Sequence, residues 1–239
     1  MLRLLLFIPL ILGCDKTPTT PGIVQPLPVI ITSPPPSANS NLNILYIGNS
    51  LTQVNDLPAM VTQIGGQDSV NITYKDMSVG GYALEDHLND GKIKTEIASG
   101  IYDYVVLQQG PSSLPASQAN LLEYVGKIKV LCNSIKSKVC VYMVWPEKVR
   151  ISFLNDVIYS YTQAATQTQS YLAPGGLAWK YVWASDATLP LYGPDEFHPS
   201  VMGSYLAALT VYGAVRQKKD FTFLTYQNLP WKTSIQSHN

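Results

Sequence analysis

Three short stretches of this chain, 43–47, 104–107 and 139–144, are apolar at almost every position. A strand with one wet face alternates apolar and polar side chains, so runs this continuous belong to strands covered on both faces. Two further stretches, 70–75 and 177–183, read as strands of the same sheet. Between them lie amphipathic patterns at helical spacing. One is Leu57, Met60, Val61 and Ile64, with Asp56 as N-cap and Pro58 in the first turn. Another is Leu121, Leu122, Val125, Ile128 and Leu131, and a third runs Phe153, Val157, Tyr161. The last holds Leu206, Thr210 or Val211, and Val215, opened by Pro199. This alternation predicts an α/β chain folded as a three-layer α/β/α sandwich around a parallel sheet. In such folds ligands sit at the carboxyl ends of the strands.

The domain is expected over 42–239. Before it, Arg3 and the apolar run Leu4 to Leu12 read as a signal peptide over 1–13, too short for a permanent membrane span. Residues 14–41 are rich in Pro, Ser and Thr and read as an extended tether. Cys132 and Cys140 either close a short disulfide or remain two buried thiols; spacing alone does not choose.

Sixteen basic side chains balance sixteen acidic ones, and no basic cluster exceeds the Arg216–Lys219 region. A nucleic-acid partner is therefore not expected. No His, Asp or Glu falls in a ligand spacing such as His-Glu-x-x-His, so neither a metal nor another cofactor is expected.

Chemistry concentrates at two points. The first predicted strand runs into Gly48-Asn49-Ser50-Leu51, which places a hydroxyl where the crevice should open. Backbone N–H groups of such a turn point outward and can hold an oxyanion. The second point is Asp195-Glu196-Phe197-His198-Pro199, just before the last helix. A serine nucleophile needs a neutral imidazole as base and a carboxylate to orient it. Asp195 and His198, three apart, fit those roles, and the spacing favours Asp195 over Glu196. The other histidines sit in a helical stretch (His87) and in the tail (His238).

These two blocks resemble the SGNH (GDSL-like) hydrolase superfamily. The resemblance spans about 43 to about 216, and Asp103-Tyr104-Val105-Val106-Leu107-Gln108 is similar to a bacterial subgroup. It implies a flavodoxin-like α/β/α fold with Ser50, His198 and Asp195 as catalytic residues. It also implies oxyanion donors from the backbone of Ser50 and of Gly80 or Gly81. The block that normally supplies an Asn donor here reads Leu107-Gln108-Gln109-Gly110, so a Gln carboxamide is expected to substitute. Strand alternation favours Gln108 over Gln109. Asn49 stands where many members carry Asp. Ile11-Leu12-Gly13-Cys14 resembles a lipoprotein cleavage site, which implies lipidation of Cys14 and a membrane anchor in a bacterial cell envelope, periplasmic or at the cell surface.

The resulting expectation is a serine esterase that removes O-acyl, chiefly acetyl, groups from a small-molecule or glycan ester outside the cytoplasm. The alternative is a non-catalytic carbohydrate- or ligand-binding lipoprotein of the same fold, with Trp145, Trp179, Trp183 and Tyr192 available to stack on sugar rings.

Overall fold

The computed structural model describes residues 41–221. The expected leader, Cys14 and the tether up to residue 40 lie outside the described residues, as does the tail from 222 with His238. Five parallel strands make one sheet: β1 (Asn41–Ile47), β2 (Asn71–Asp76), β3 (Tyr104–Leu107), β4 (Lys138–Tyr142) and β5 (Tyr171–Ala173). Their order is β2-β1-β3-β4-β5, with Ile44 opposite Tyr104 and Ile47 opposite Leu107. This doubly wound order reverses between β1 and β3, and a crevice opens at that reversal beyond the strands' carboxyl ends. Ser50 follows β1 directly.

Eight α-helices surround the sheet among the described residues: α1 (Ser50–Gln53), α2 (Leu57–Gln67), α3 (Leu84–Asp90), α4 (Lys92–Ala98), α5 (Pro115–Ser134), α6 (Leu154–Gln167), α7 (Gly175–Ser185) and α8 (Val201–Arg216). A 3-10 segment, Lys148–Phe153, leads into α6. Helices α2 and α8 pack together over one face, and α3 to α6 cover the other. Both faces of the central strands are sealed. Leu45, Ile47, Val105, Leu107, Val139 and Val141 alternate with Tyr46, Tyr104, Cys140 and Tyr142, and all are buried. Each aliphatic side chain so covered contributes about 1.5–3 kcal/mol before entropy is charged against it.

Asp56 caps α2 through Ala59 N–H, and Pro58 occupies its first turn, as the residue pattern predicts. The start of α8 differs slightly. Pro199 precedes the helix, and Ser200 is the cap, accepting from Gly203 N–H at 3.1 Å.

One strand expectation is wrong. Residues 177–183 form the middle of α7, and the fifth strand is the three-residue Tyr171–Ala173 just before it. The stretch is dense in apolar residues on all sides, which hides the 3.6-residue period. Its buried side, Trp179 with the half-buried Val182 and Trp183, is helical in spacing. The helix also lies against bare backbone just past β4: a Cβ on Gly176 would stand 2.2 Å from the Val144 carbonyl oxygen.

Cys132 on α5 and Cys140 on β4 are free and buried. Burial pushes both thiols up to about 12, so little reactive thiolate exists near neutrality. With Cys14 replaced by serine, the folded protein is expected to react negligibly with a thiol reagent at pH 8. Unfolding in guanidinium should then expose both thiols together. Rapid labelling of the native protein would contradict this burial.

Candidate active site

The turn after β1 is built so that only glycine fits its first position. A Cβ on Gly48 would lie 2.5 Å from Thr52 Oγ1 and 2.6 Å from Gln108 Oε1. The Gly48 carbonyl accepts from Val79 N–H at 3.0 Å and lies 2.7 Å from His87 Nε2. Because that carbonyl can only accept, His87 carries its proton on Nε2 in this contact.

Asn49 is the N-cap of α1. Its side-chain oxygen accepts from Leu51 N–H and from Gln108 Nε2, while its nitrogen donates to the Tyr82 carbonyl at 3.0 Å. An aspartate would lack that last donor. Ser50 thus stands at the first position of a short helix, anchored on both sides. Among the described residues its own N–H has no acceptor.

The second loop brings the base. Tyr192 and Pro199 form an isolated antiparallel bridge, and Gly193 N–H donates to the His198 carbonyl at 2.7 Å. Asp195 turns the chain by accepting from Phe197 N–H and His198 N–H at 3.1 and 2.9 Å through one carboxylate oxygen. Its other oxygen lies 2.5 Å from His198 Nδ1, and His198 Nε2 lies 2.9 Å from Ser50 Oγ. Residues 148 positions apart are thereby joined in one hydrogen-bonded chain. The His198 ring hydrogen bond, followed by Phe197 N–H, holds the Asp195 carboxyl below the usual carboxylate range.

Glu196, the alternative acid, does not face the imidazole. It adopts a left-handed backbone conformation (φ 57°) and its carboxylate pairs with Lys148 at 2.5 Å. The loop is strapped to the segment after β4 by three more bonds. Lys148 N–H donates to the Glu196 carbonyl, Trp145 Nε1 to the Phe197 carbonyl, and Tyr192 hydroxyl to the Pro146 carbonyl. Asn55 Nδ2 ties the Pro199 carbonyl back to the Ser50 side.

The glutamines are placed differently from expectation. Gln108 is buried, and its Oε1 accepts from Asn49 N–H and Thr52 Oγ1, each at 2.8 Å. Both hydrogens of its Nε2 are used, on Asn49 Oδ1 and the Gln109 carbonyl. Gln109 is also committed: Oε1 accepts from Leu84 N–H, and Nε2 donates to Ser112 and Asn120. Neither carboxamide has an N–H left for an oxyanion. Gln108 braces the nucleophile turn, and Gln109 ties α3 to α5.

Gly80 and Gly81 lie in an exposed turn closed by Tyr82 N–H to the Val79 carbonyl. Gln53 Nε2 donates to the Ser78 carbonyl, which holds this turn beside α1. Among the described residues the Gly80 and Gly81 amides have no acceptor.

His87 and Asn49 are the residues whose importance sequence reasoning missed. For Asn49 a signal exists, because Asn directly before a short helix is a capping position. For His87 none does, since its partner is a backbone carbonyl far along the chain.

No family model matches this chain, and no curated protein matches it. Solved structures do. A protein from Slackia heliotrinireducens described as a candidate SGNH hydrolase superposes with a TM-score of 0.62 at 24% identity, covering 73% of this chain and 98% of its own. This chain has the SGNH hydrolase fold. A DUF4886 family protein from Bacteroides uniformis gives a TM-score of 0.63 at 19% identity, over 74% of this chain and 84% of that one. A catalytic mutant of an acetylxylan esterase from Geobacillus stearothermophilus gives 0.56 at 18% identity, over 75% and 95%. The likeness is one of fold, at identities below 25%; in this chain Ser50 follows β1, where the strand order reverses.

Proposed function

We propose that this chain is a serine esterase in which Ser50 attacks an ester carbonyl. The observation that carries this reading is the continuous chain Ser50 Oγ, His198 Nε2, His198 Nδ1, Asp195 Oδ2. His198 takes the hydroxyl proton as the Ser50 Oγ–carbon bond forms, and Asp195 fixes the tautomer and offsets the imidazolium charge. Ser50 N–H and an amide of Gly80 or Gly81 hold the tetrahedral oxyanion, each donor worth about 10²–10³ in kcat. The intermediate collapses, the carbon–oxygen bond of the leaving alcohol breaks, and His198 returns the proton to that alcohol. Water then repeats the sequence on the acyl-enzyme and releases the acid.

The substrate is an O-acyl, chiefly acetyl, ester on a small molecule or glycan outside the cytoplasm. The acetylxylan esterase among the structural neighbours supports this class, as do the leader-like 1–13 and Cys14, which would anchor the protein to a membrane through lipid. Acetate release from O-acetylated polysaccharides, followed alongside p-nitrophenyl esters of rising chain length, tests it. Acetyl esters are expected to be cleaved fastest. A steady preference for octanoyl over acetyl esters would turn the assignment toward lipid substrates.

The pH dependence follows from Asp195. A carboxyl whose folded pKa is depressed contributes in its ionised form above the ordinary range, about 3.9. It loses that contribution only as pH falls through the lowered value. Above about pH 5 Asp195 is therefore a constant charge. As pH falls from 7 toward 5, Asp195 is expected to stay ionised and to add no proton to the slope of log kcat/KM. A slope contribution in that range that disappears in Asp195→Asn would show Asp195 titrating there.

A further inference from the structure

The four aromatic residues that the sequence offers for sugar stacking fall into two groups. Trp145 and Trp179 are fully buried, with ring centroids 3.5 Å apart and planes 11° from parallel, so they are core. Trp183 and Tyr192 are only partly buried. They line a cavity of about 460 Å³ together with Ile151, Leu189, Lys148 and Glu196. A second cavity, of about 710 Å³, contains Asp195 and His198. Tyr192, Gly193 and Pro194 line both, so one loop is the common wall of the two.

We propose that the Trp183–Tyr192 cavity is a saccharide subsite that holds a sugar ring next to the one carrying the scissile ester. This deepens the esterase reading and rests on it. A pyranose presents apolar C–H faces and a polar edge of hydroxyls, so its site needs an aromatic flank beside hydrogen-bond donors and acceptors. Both parts are present.

The aromatic flank is rigid. Trp183 Nε1 donates to the Leu189 carbonyl at 3.1 Å, and the Tyr192 hydroxyl donates to the Pro146 carbonyl at 2.5 Å. The polar end of each ring is thus already bonded to protein, and the two rings stand 5.5 Å apart at 34°. Prior immobilisation lowers the ordering cost that a ligand would otherwise bear.

The polar part is the Lys148–Glu196 pair, with both side chains 57% exposed at the rim. With one ammonium hydrogen used on Glu196, it leaves two ammonium donors and carboxylate acceptors for hydroxyl groups while contributing no net charge. An acyl-chain site would have no use for that pair. An anionic ligand such as a nucleotide would meet Glu196 without a surplus cation. A neutral polyol with an apolar face is the chemistry that fits.

Binding is best read on the Ser50→Ala chain, which separates it from turnover. Xylohexaose, mannohexaose and chitohexaose serve as probes, followed by tryptophan fluorescence and by calorimetry. At least one is expected to give a saturable isotherm. Trp183→Ala should raise its Kd tenfold or more, Trp183→Phe less than threefold, and Lys148→Met about threefold to tenfold. Lys148 is exposed, so that variant reports even if Trp183→Ala folds poorly. No saturable binding by any probe, or an isotherm unchanged in both Trp183→Ala and Lys148→Met, overturns the subsite. Hydrolysis of p-nitrophenyl acetate by the unaltered chain is a separate readout, so loss of the subsite and loss of the esterase reading are told apart.

Discussion

Ser50→Ala is expected to lower kcat for p-nitrophenyl acetate by about 10³-fold or more, with the folded state retained. The side chain is only partly buried, and its oxygen bonds His198 alone among the described residues. Removing it leaves no buried donor stranded and opens no core cavity. The melting temperature should therefore move little while turnover collapses. His198→Ala is expected to cost about as much as Ser50→Ala, and the double variant scarcely more, because groups that act as one unit do not add. Asp195 is more exposed, at 53% for its side chain against 30% for His198. Asp195→Asn should therefore be the mildest of the three, since water can partly replace what a dry site would lose entirely.

Gln108→Leu is expected to damage both stability and activity, by a different route. The Gln108 carboxamide satisfies Asn49 N–H, the Thr52 hydroxyl, Asn49 Oδ1 and the Gln109 carbonyl at once. Leucine fills similar space and satisfies none of them. Stranding buried donors and acceptors costs 1–3 kcal/mol each when nothing relaxes, so a net loss of about 3 kcal/mol is a fair expectation after partial rearrangement. Chemical denaturation would show this as a lower midpoint at an unchanged m-value. The Ser50 turn would lose its brace in the same step, so kcat should fall in the protein that remains folded. An activity loss with full stability would mean that Gln108 donates directly to the substrate.

How far the sequence disclosed all this depends on where each interaction partner lies. β3 matches its predicted span because both faces of Tyr104–Leu107 are sealed, and total burial leaves a mark on every residue. The short β5 carries no such mark in three residues, and the apolar density of 177–183 imitated a strand in its place. The base loop was readable because Asp195 and His198 are three apart and need no distant partner to meet. Gln108 was not, because its role depends on hydrogen bonds to residues 56 and 59 positions away. A carboxamide looks the same in a sequence whether its hydrogens are free or committed. The tryptophans repeat this lesson, since only packing shows that Trp145 and Trp179 are core while Trp183 borders a cavity.

The central claim is that Ser50, activated by His198, is a nucleophile. It is met most directly by treating the protein with a serine-directed fluorophosphonate and measuring intact mass and the labelled peptide. A single adduct on Ser50, absent in Ser50→Ala and much slower to form in His198→Ala, is the predicted result. No adduct, or labelling that persists in Ser50→Ala, would contradict it.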